Sequence, residues 1–481
     1  MVTRQVTTRY GIVEGLATQD PNITAFRGVP FAAAPVGEYR WRAPQPVRPW
    51  IGVRPAHDFA PISMQPMSQP TEFYGREWSV DPDTPTSEDC LYLNIWTPAL
   101  RGSGTAHFVD ERQSKLPVLV WIYGGAYQCG STVEKEFDGS SLARRGVVVV
   151  TIAYRLNVFG FFTHTDLNHG DHDNGSDCSS EPVANFGLLD QHEAIAWVKD
   201  NIAVFGGDPN NITVAGQSAG SASVLAQCAS SMSGNLFQHA IMQSGGGLGV
   251  FNKHLWSLEE SQHNGERFLS FLGVKSVKEA RKIPANELLD AACAFPVPPD
   301  SGRDGDWPML VNWIPCVDGR FLTGQYGDSL LSQDRRHPID LLVGNTTGEF
   351  TITRSDGTTV PEGELGNIAL ARTWIDAGNP RPFFYQFDVQ MPGDDAGAFH
   401  SSDLWFTFNS LHTCWRPFSG WHYELSNTMC DYWANFMRTG NPNSTSHSDS
   451  LRAEWTAFDP QAPQAMRFGR KIGMQPLMTV D

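Results

Sequence analysis

The chain has 481 residues, of which 41% are hydrophobic and 18% are charged, enough to bury a large core. It carries 35 lysines and arginines against 52 aspartates and glutamates, a net charge of −17 with no basic cluster. This balance argues against nucleic acid or an anionic membrane surface as a partner. No apolar run reaches the roughly 20 residues of a membrane span, so we expect none.

Buried strands alternate with helices along the chain. Apolar, β-branched runs predict strands at 116–123, 147–154, 212–217, 239–244, 339–344 and 382–387. Apolar residues at helical spacing predict a helix over 188–205, and another helix begins directly after the third strand. The turn-rich stretches 101–114 and 168–182 are predicted to be loops. The pattern predicts an α/β fold with a mostly parallel sheet between helices, and no linker divides residues 1–481 into further domains.

A candidate nucleophile lies at the end of the third predicted strand. Residues 216–220 read Gly-Gln-Ser-Ala-Gly, a Gly-x-Ser-x-Gly pattern between a strand and a helix. That context is typical of a tight turn that exposes a serine hydroxyl, here Ser218, at a helix N-terminus that favours negative charge. A plain glycine- and serine-rich turn is the alternative interpretation.

The first predicted strand ends in Gly124, Gly125 and Ala126. Backbone N–H groups in such a loop can converge on one oxygen, as acyl transfer requires where negative charge develops. We therefore expect an oxyanion hole formed by the N–H groups of Gly125, Ala126 and Ala219, the residue after the nucleophile. An ordinary turn after a strand is again the alternative.

Several longer segments match a known family. Residues 205–220 fit its serine signature, and residues 87–96, SEDCLYLNIW, fit its second signature. Residues 26–46, 185–198, 239–246 and 433–443 match as well. The chain resembles the type-B carboxylesterases, an α/β-hydrolase family that includes para-nitrobenzyl esterases and cholinesterases. The resemblance implies a serine esterase for small-molecule carboxylic esters, with no cofactor and no metal.

The resemblance also implies the remaining catalytic residues. Glu349, in the turn at 344–349, matches the family's acid, and His400, in the segment at 397–400, matches its base. Ser244 matches a serine that supports the triad. Composition alone does not single out these residues, since a lone glutamate or histidine is more often structural. The order Ser218, Glu349, His400 is the order that this fold uses.

The chain departs from the family pattern at several points. Ala126 stands where many members have a third glycine, and its methyl group narrows the acyl side. Gln217 replaces the glutamate of cholinesterases, so we expect choline esters to be poor substrates. The segment between Glu349 and His400 is short, which suggests a more open pocket.

Two features point to the cellular location. Cys90 has no upstream partner for the disulfide of secreted animal members, and the N-terminus lacks the apolar segment of a secretory signal. We therefore expect a bacterial, cytoplasmic enzyme, although a cleaved signal would leave the same sequence. Oligomeric state stays open.

The sequence offers two alternative functions and one further candidate site. A non-catalytic relative typically lacks a triad residue, and none is missing here. A metal-dependent hydrolase would use the loop containing His164, Asp166, His169, Asp171, His172, Asp173, Asp177 and Cys178. The spacing fits no standard metal motif, so a solvated loop is favoured. For Phe73, Tyr74 and Trp78, packing is favoured over a role as a substrate wall.

Overall fold

In the computed structural model of the chain, the structure describes residues 2–68, 71–78, 80–102, 108–109, 114–169, 181–249, 252, 254–297, 311–332, 337–353, 357, 359–443 and 452–477. Of the predicted loop at 168–182, residues 170–180 lie outside this part. The structural statements below concern the described residues.

The strands are short and many. In chain order, β1 to β21 are Thr3–Thr8, Gly11–Ala17, Thr24–Pro30, Val53–Pro55, Ile62–Ser63, Thr86–Ser87, Tyr92–Thr97, Leu100–Arg101, Phe108–Val109, Leu116–Ile122, Val148–Ile152, Gly207–Gln217, His239–Gln243, Trp256–Ser257, Cys316–Val317, Asp340–Thr346, Thr351–Thr353, Thr359–Pro361, Phe383–Phe387, Gln464–Phe468 and Ile472–Pro476.

Helices occupy much of the chain between these strands. In chain order, α1 to α12 are Phe73–Glu77, Ser140–Arg144, Asn157–Phe161, Phe186–Asn201, Ala219–Ala229, Leu258–Leu272, Val277–Ala280, Ala285–Ala294, Tyr326–Ser332, Glu362–Asp376, Leu404–Thr407 and Gly420–Thr439. The predicted helix over 188–205 is α4, continued by a 3-10 turn over Ile202–Phe205.

Thirteen of the described strands form one sheet, in the order β1-β2-β3-β7-β11-β10-β12-β13-β16-β19-β20-β21, with β4 beside β2. Its centre, from β11 to β20, is parallel, as the apolar runs predict. The outer strands pair in antiparallel fashion at both edges, except that β4 runs parallel to β2. The strands near the N-terminus are not among the predicted elements. The predicted loop at 101–114 also needs correction, because Arg101 pairs with Phe108 in a short hairpin.

The central strands form the core of the molecule. Every residue of β11 and β13 is buried, as expected for strands covered on both faces. In parallel sheets, functional loops lie beyond the carboxyl ends of the strands, and here β10, β12, β13 and β16 end beside one another. No helix in the described part of the chain is both long and apolar enough to cross a bilayer.

Candidate active site

Ser218 occupies a strained turn between β12 and α5. Its φ of 56° and ψ of −126° are rare for a residue with a side chain, and strain of this kind clusters at functional sites. The Ser218 N–H donates to the Gln243 carbonyl at 2.9 Å, which holds the turn against the end of β13. A Cβ on Gly220 would lie 2.1 Å from the Ile122 carbonyl oxygen, so only glycine permits this approach of helix to strand. The turn predicted from the sequence is therefore present.

The loop after β10 reverses sharply beside Ser218. Gly125 and Ala126 have positive φ values of 99° and 55°. The Gly125 carbonyl accepts the N–H groups of Gln128 and Cys129, at 2.9 and 3.1 Å, which closes the turn. Among the described residues, the N–H groups of Gly125 and Ala126 donate to no protein acceptor. They are therefore available to an oxyanion, as is the N–H of Ala219, the first residue of α5.

Glu349 and His400 lie far apart in the sequence but meet in space. Glu349 Oε2 lies 2.7 Å from His400 Nδ1, and both side chains are largely buried. The Gly348 N–H donates to the Ala398 carbonyl at 2.9 Å, which fixes the two loops to each other. The other carboxylate oxygen, Oε1, accepts the Thr346 hydroxyl at 3.1 Å. This contact orients the carboxylate toward the imidazole.

The two groups stabilise each other's charged forms. Burial works to lower the pKa of His400, but the charge and hydrogen bond of Glu349 outweigh it and raise the pKa above its usual 6.5. Burial likewise works to raise the pKa of Glu349, and His400 outweighs it, so the pKa falls below its usual 4.5. The pair thus holds an ionised carboxylate against an imidazole that can accept a proton.

Gln217 makes a contact that sequence reasoning missed. Its amide nitrogen lies 3.1 Å from His400 Nε2, so the amide donates to the ring nitrogen that Glu349 leaves free. In the described structure no hydrogen bond joins Ser218 to His400. Catalytic hydrogen bonds are often long or poorly aligned before substrate binds. Because these residues are 183 positions apart, no local pattern reveals the contact.

Ser244 and Asp403 form the layer behind the histidine. Ser244 has a φ of 52°, and its buried hydroxyl meets no partner in full hydrogen-bond geometry, yet it helps to lower the pKa of Glu349. Asp403 accepts hydrogen bonds from the Tyr385 hydroxyl at 2.6 Å and from the Gln243 amide at 3.0 Å. The charge of Asp403 also raises the pKa of His400. The sequence places Asp403 near the base but does not indicate this network.

Two cavities meet at Ser218 and His400. The first, the Ile314 cavity, has a volume of about 940 Å³, part of which is open to solvent. Its wall includes Ala126, Tyr127, Ala219, Leu255, Val311, Ile314, Tyr326 and Phe350. The second, the Glu136 cavity, has a more polar wall that includes Gln65, Tyr74, Trp78, Gln128, Glu134 and Glu136. An ester bound at Ser218 would thus have room on both sides of its carbonyl.

The aromatic residues Phe73, Tyr74 and Trp78 lie next to the candidate site. Phe73 packs edge-on against Phe399, at 4.9 Å between ring centroids, whereas Tyr74 and Trp78 line the Glu136 cavity. These aromatic residues therefore both pack and form a wall.

Of the candidate metal loop, the part at 170–180 lies outside the described residues. The described residues contain no cluster of three or more metal-ligand side chains.

Comparison with known proteins identifies relatives of the whole chain. The sequence profile of the carboxylesterase family matches residues 2–364 and 362–478. The fumonisin B1 esterase of Sphingopyxis macrogoltabida is 41% identical over 287 residues, which cover 59% of this chain and 46% of that relative. The para-nitrobenzyl esterase of Bacillus subtilis is 28% identical over 523 residues, covering 99% of this chain and 96% of the relative.

A solved structure agrees over nearly the whole chain. A thermophilic PNB esterase superposes with a TM-score of 0.79 at 26% identity, covering 98% of this chain and 97% of that one. The fold expected from the sequence is thereby confirmed. The chain belongs to the carboxylesterase family, has its α/β-hydrolase fold and is a carboxylic-ester hydrolase.

Proposed function

We propose that the chain hydrolyses short- to medium-chain acyl or aryl esters through Ser218, His400 and Glu349, with an acyl-enzyme intermediate. The observation that carries this proposal is convergence at a single point. A serine on a strained turn, a carboxylate-bound histidine and a loop with available N–H groups all border the Ile314 cavity. Acyl transfer needs these three features together.

The first half of the reaction acylates the serine. His400 Nε2 takes the proton of Ser218 as Oγ attacks the ester carbonyl, and Glu349 holds the imidazolium through Nδ1. Gln217 must yield its hydrogen bond on Nε2 as Ser218 turns toward the ring. The oxyanion accepts hydrogen bonds from the N–H groups of Gly125, Ala126 and Ala219. His400 then protonates the departing alcohol.

The second half releases the acid. Water replaces the alcohol, loses its proton to His400 and attacks the acyl carbonyl, after which Ser218 leaves with the proton. The charge that develops on oxygen lies at the N-terminus of α5, whose dipole favours it. Each step uses groups of the chain and water.

The relatives support a small ester as the substrate. One is named for fumonisin B1 and another for para-nitrobenzyl esters, so each name indicates an ester substrate. We infer that this chain also acts on a small-molecule ester, as a single domain over residues 1–481. The short segment between Glu349 and His400 leads us to expect an open pocket. Turnover that collapses as the acyl or alcohol group grows would contradict that expectation.

A chain-length series of p-nitrophenyl esters tests the proposal. Acetate through palmitate is assayed with wild type and Ser218→Ala, each with and without EDTA. We expect turnover of the short esters, none by the variant and no effect of EDTA. A folded wild type that hydrolyses no ester would contradict the proposal, and loss of activity with EDTA would favour a metal-dependent reaction instead.

A further inference from the structure

The Glu136 cavity contains an acid pair that the proposed mechanism does not use. Glu136 is 1% exposed, and among the described residues no donor reaches its carboxyl oxygens in full hydrogen-bond geometry. Glu134 lies beside it on the same wall, and its Oε1 accepts the Ser131 N–H at 2.6 Å. A buried carboxyl group without a donor is costly, so its presence on the wall of this cavity calls for a partner.

Neither Arg416 nor Lys135 forms a salt bridge with this acid pair. Arg416 binds Glu77 at 2.7 Å, with both side chains fully buried, and also binds Asp394 at 2.7 Å. Lys135, between the two acids in the sequence, is exposed to solvent. Within the described part of the chain, no salt bridge reaches Glu134 or Glu136. The cavity wall therefore has two acids without a matching cation.

Protonation reduces the repulsion between the two buried carboxyl groups only in part. Burial raises the pKa of Glu134 to about 7. Burial, and then the charge of Glu134, raises the pKa of Glu136 further above its usual value, and the charge of Glu77 adds to this effect. Near neutral pH the two carboxyl groups thus share protons, and an arriving cation would draw a proton off and take its place.

We propose that the Glu136 cavity binds the arm of an ester substrate that ends in a protonated primary amine, which donates hydrogen bonds to Glu134 and Glu136. This inference rests on the proposed function, because the ester group must reach Ser218 while the arm fills the cavity. Both requirements are met by one space, since Ser218, His400, Glu134 and Glu136 border the same cavity.

The chemistry of the wall selects among cations. A primary ammonium group has three N–H donors and matches carboxylate oxygens that have none. A quaternary ammonium group offers no donor and leaves the oxygens unsatisfied. A neutral alkyl arm leaves the two acids with only each other as side-chain partners. The amine should therefore be favoured over both, in agreement with the expectation that choline esters are poor substrates.

Matched esters test this selectivity. Hexyl butyrate is compared with its ω-amino and ω-trimethylammonio derivatives, and methyl hexanoate with the same two derivatives, so that the charge lies on the alcohol side or the acyl side. Values of kcat/KM are measured by product chromatography at pH 7. On one of the two sides, we expect wild type to prefer the amino ester over its parent by at least about tenfold, as for a hydrogen bond to a charged group. The trimethylammonio ester should gain much less.

Variants assign the preference to the acid pair. In the double variant Glu134→Gln, Glu136→Gln, the ratio of amino ester to parent should fall to about one. Glu193→Gln, which removes a half-buried acid of α4 away from the cavity, should keep the wild-type ratio. An unchanged ratio in the double variant, or no preference in wild type on either side, would overturn the inference and leave the acids as a structural pair.

A binding measurement on wild type alone guards against misfolded variants. Hexylammonium and hexanol are titrated separately while the melting temperature is followed. We expect hexylammonium to stabilise the protein at a concentration at least about tenfold lower than hexanol does. Equal stabilisation would overturn the inference. If hexylammonium binds selectively but no ester is hydrolysed, the proposed function is contradicted, while the amine-binding site in the Glu136 cavity is supported.

Discussion

Two glutamates that line the cavities at Ser218 have pKa values shifted in opposite directions. Glu349 meets His400 and Thr346, and its pKa falls below the usual value although burial opposes this. Glu136 is buried as well but lies beside another acid, Glu134, and its pKa rises well above the usual value. Burial is common to both, so the partners decide the charge. In our proposals, this difference suits Glu349 to hold the imidazole of His400 and Glu136 to bind a cationic ligand.

The largest effect on activity is expected from replacing Ser218, the proposed nucleophile. Ser218→Ala should lower kcat on p-nitrophenyl acetate by about 10⁶, as removal of a triad nucleophile does in other serine hydrolases. Ser244→Ala is the matched control, because Ser244 is also a serine with positive φ directly after a central strand. It should cost about tenfold or less. Similar losses in both variants would contradict the assignment of Ser218 as nucleophile.

The next prediction removes the charge of Glu349. Glu349→Gln should lower kcat/KM by about 10⁴, as for loss of a triad carboxylate. In wild type, the acidic limb of the pH profile should lie above 6.5, because activity needs a neutral His400 whose pKa is raised. In the variant, burial lowers the pKa of the imidazole and only the charge of Asp403 opposes it, so the limb should move to lower pH. A limb that stays in place would show that Glu349 does not control the histidine.

A smaller effect is expected at Gln217. Gln217→Glu places a carboxylate beside His400 Nε2, which favours the imidazolium and should move the acidic limb of kcat/KM upward by about one pH unit. Gln217→Met removes the donor without adding a charge and should shift the limb much less. The two pH profiles, measured on one ester, separate charge from loss of the hydrogen bond. Equal shifts would contradict this contact.

The smallest effect concerns stability. The raised pKa of Glu136 means that its contribution to stability is complete below the unfolded pKa, near 4.5, and is lost as pH rises toward the folded pKa. Glu136→Gln removes this loss. Its melting temperature should exceed that of wild type by about 2 °C or more at pH 8, with a smaller difference at pH 5.

The exposed Glu259→Gln is the control for this measurement and should show no pH-dependent difference from wild type. A Glu136→Gln difference that stays constant between pH 5 and pH 8 would show that Glu136 carries no proton in the folded state beyond that of an ordinary glutamate.

The sequence predicts features that are local and strongly patterned. The parallel strands are continuous apolar runs, and the turn at Ser218 combines a strand, two glycines and a helix within a few residues. The strands near the N-terminus escape prediction because polar residues alternate with few apolar ones, as in β1, TRQVTT. Such short segments become strands through pairing with β2 and β3 rather than through their own pattern.

The electrostatics of the site depends on distant contacts. In the sequence, Glu134 and Glu136 read as part of a polar loop, and only folding places them on the wall of a cavity that Ser218 also borders. The hydrogen bond from Gln217 to His400 joins residues from separate strands and loops. Without coordinates, the resemblance could nominate the catalytic residues but not the charge of their surroundings.

Trapping the acyl-enzyme tests the central claim most directly. Wild type and Ser218→Ala are mixed with p-nitrophenyl acetate, quenched in acid within the burst phase and digested, and the peptide that contains residue 218 is analysed by mass spectrometry. The account predicts a burst of p-nitrophenol equal to the enzyme concentration and one acetyl group on Ser218, with neither in the variant. Turnover with no acetyl group on Ser218, or a burst that persists in Ser218→Ala, would contradict it.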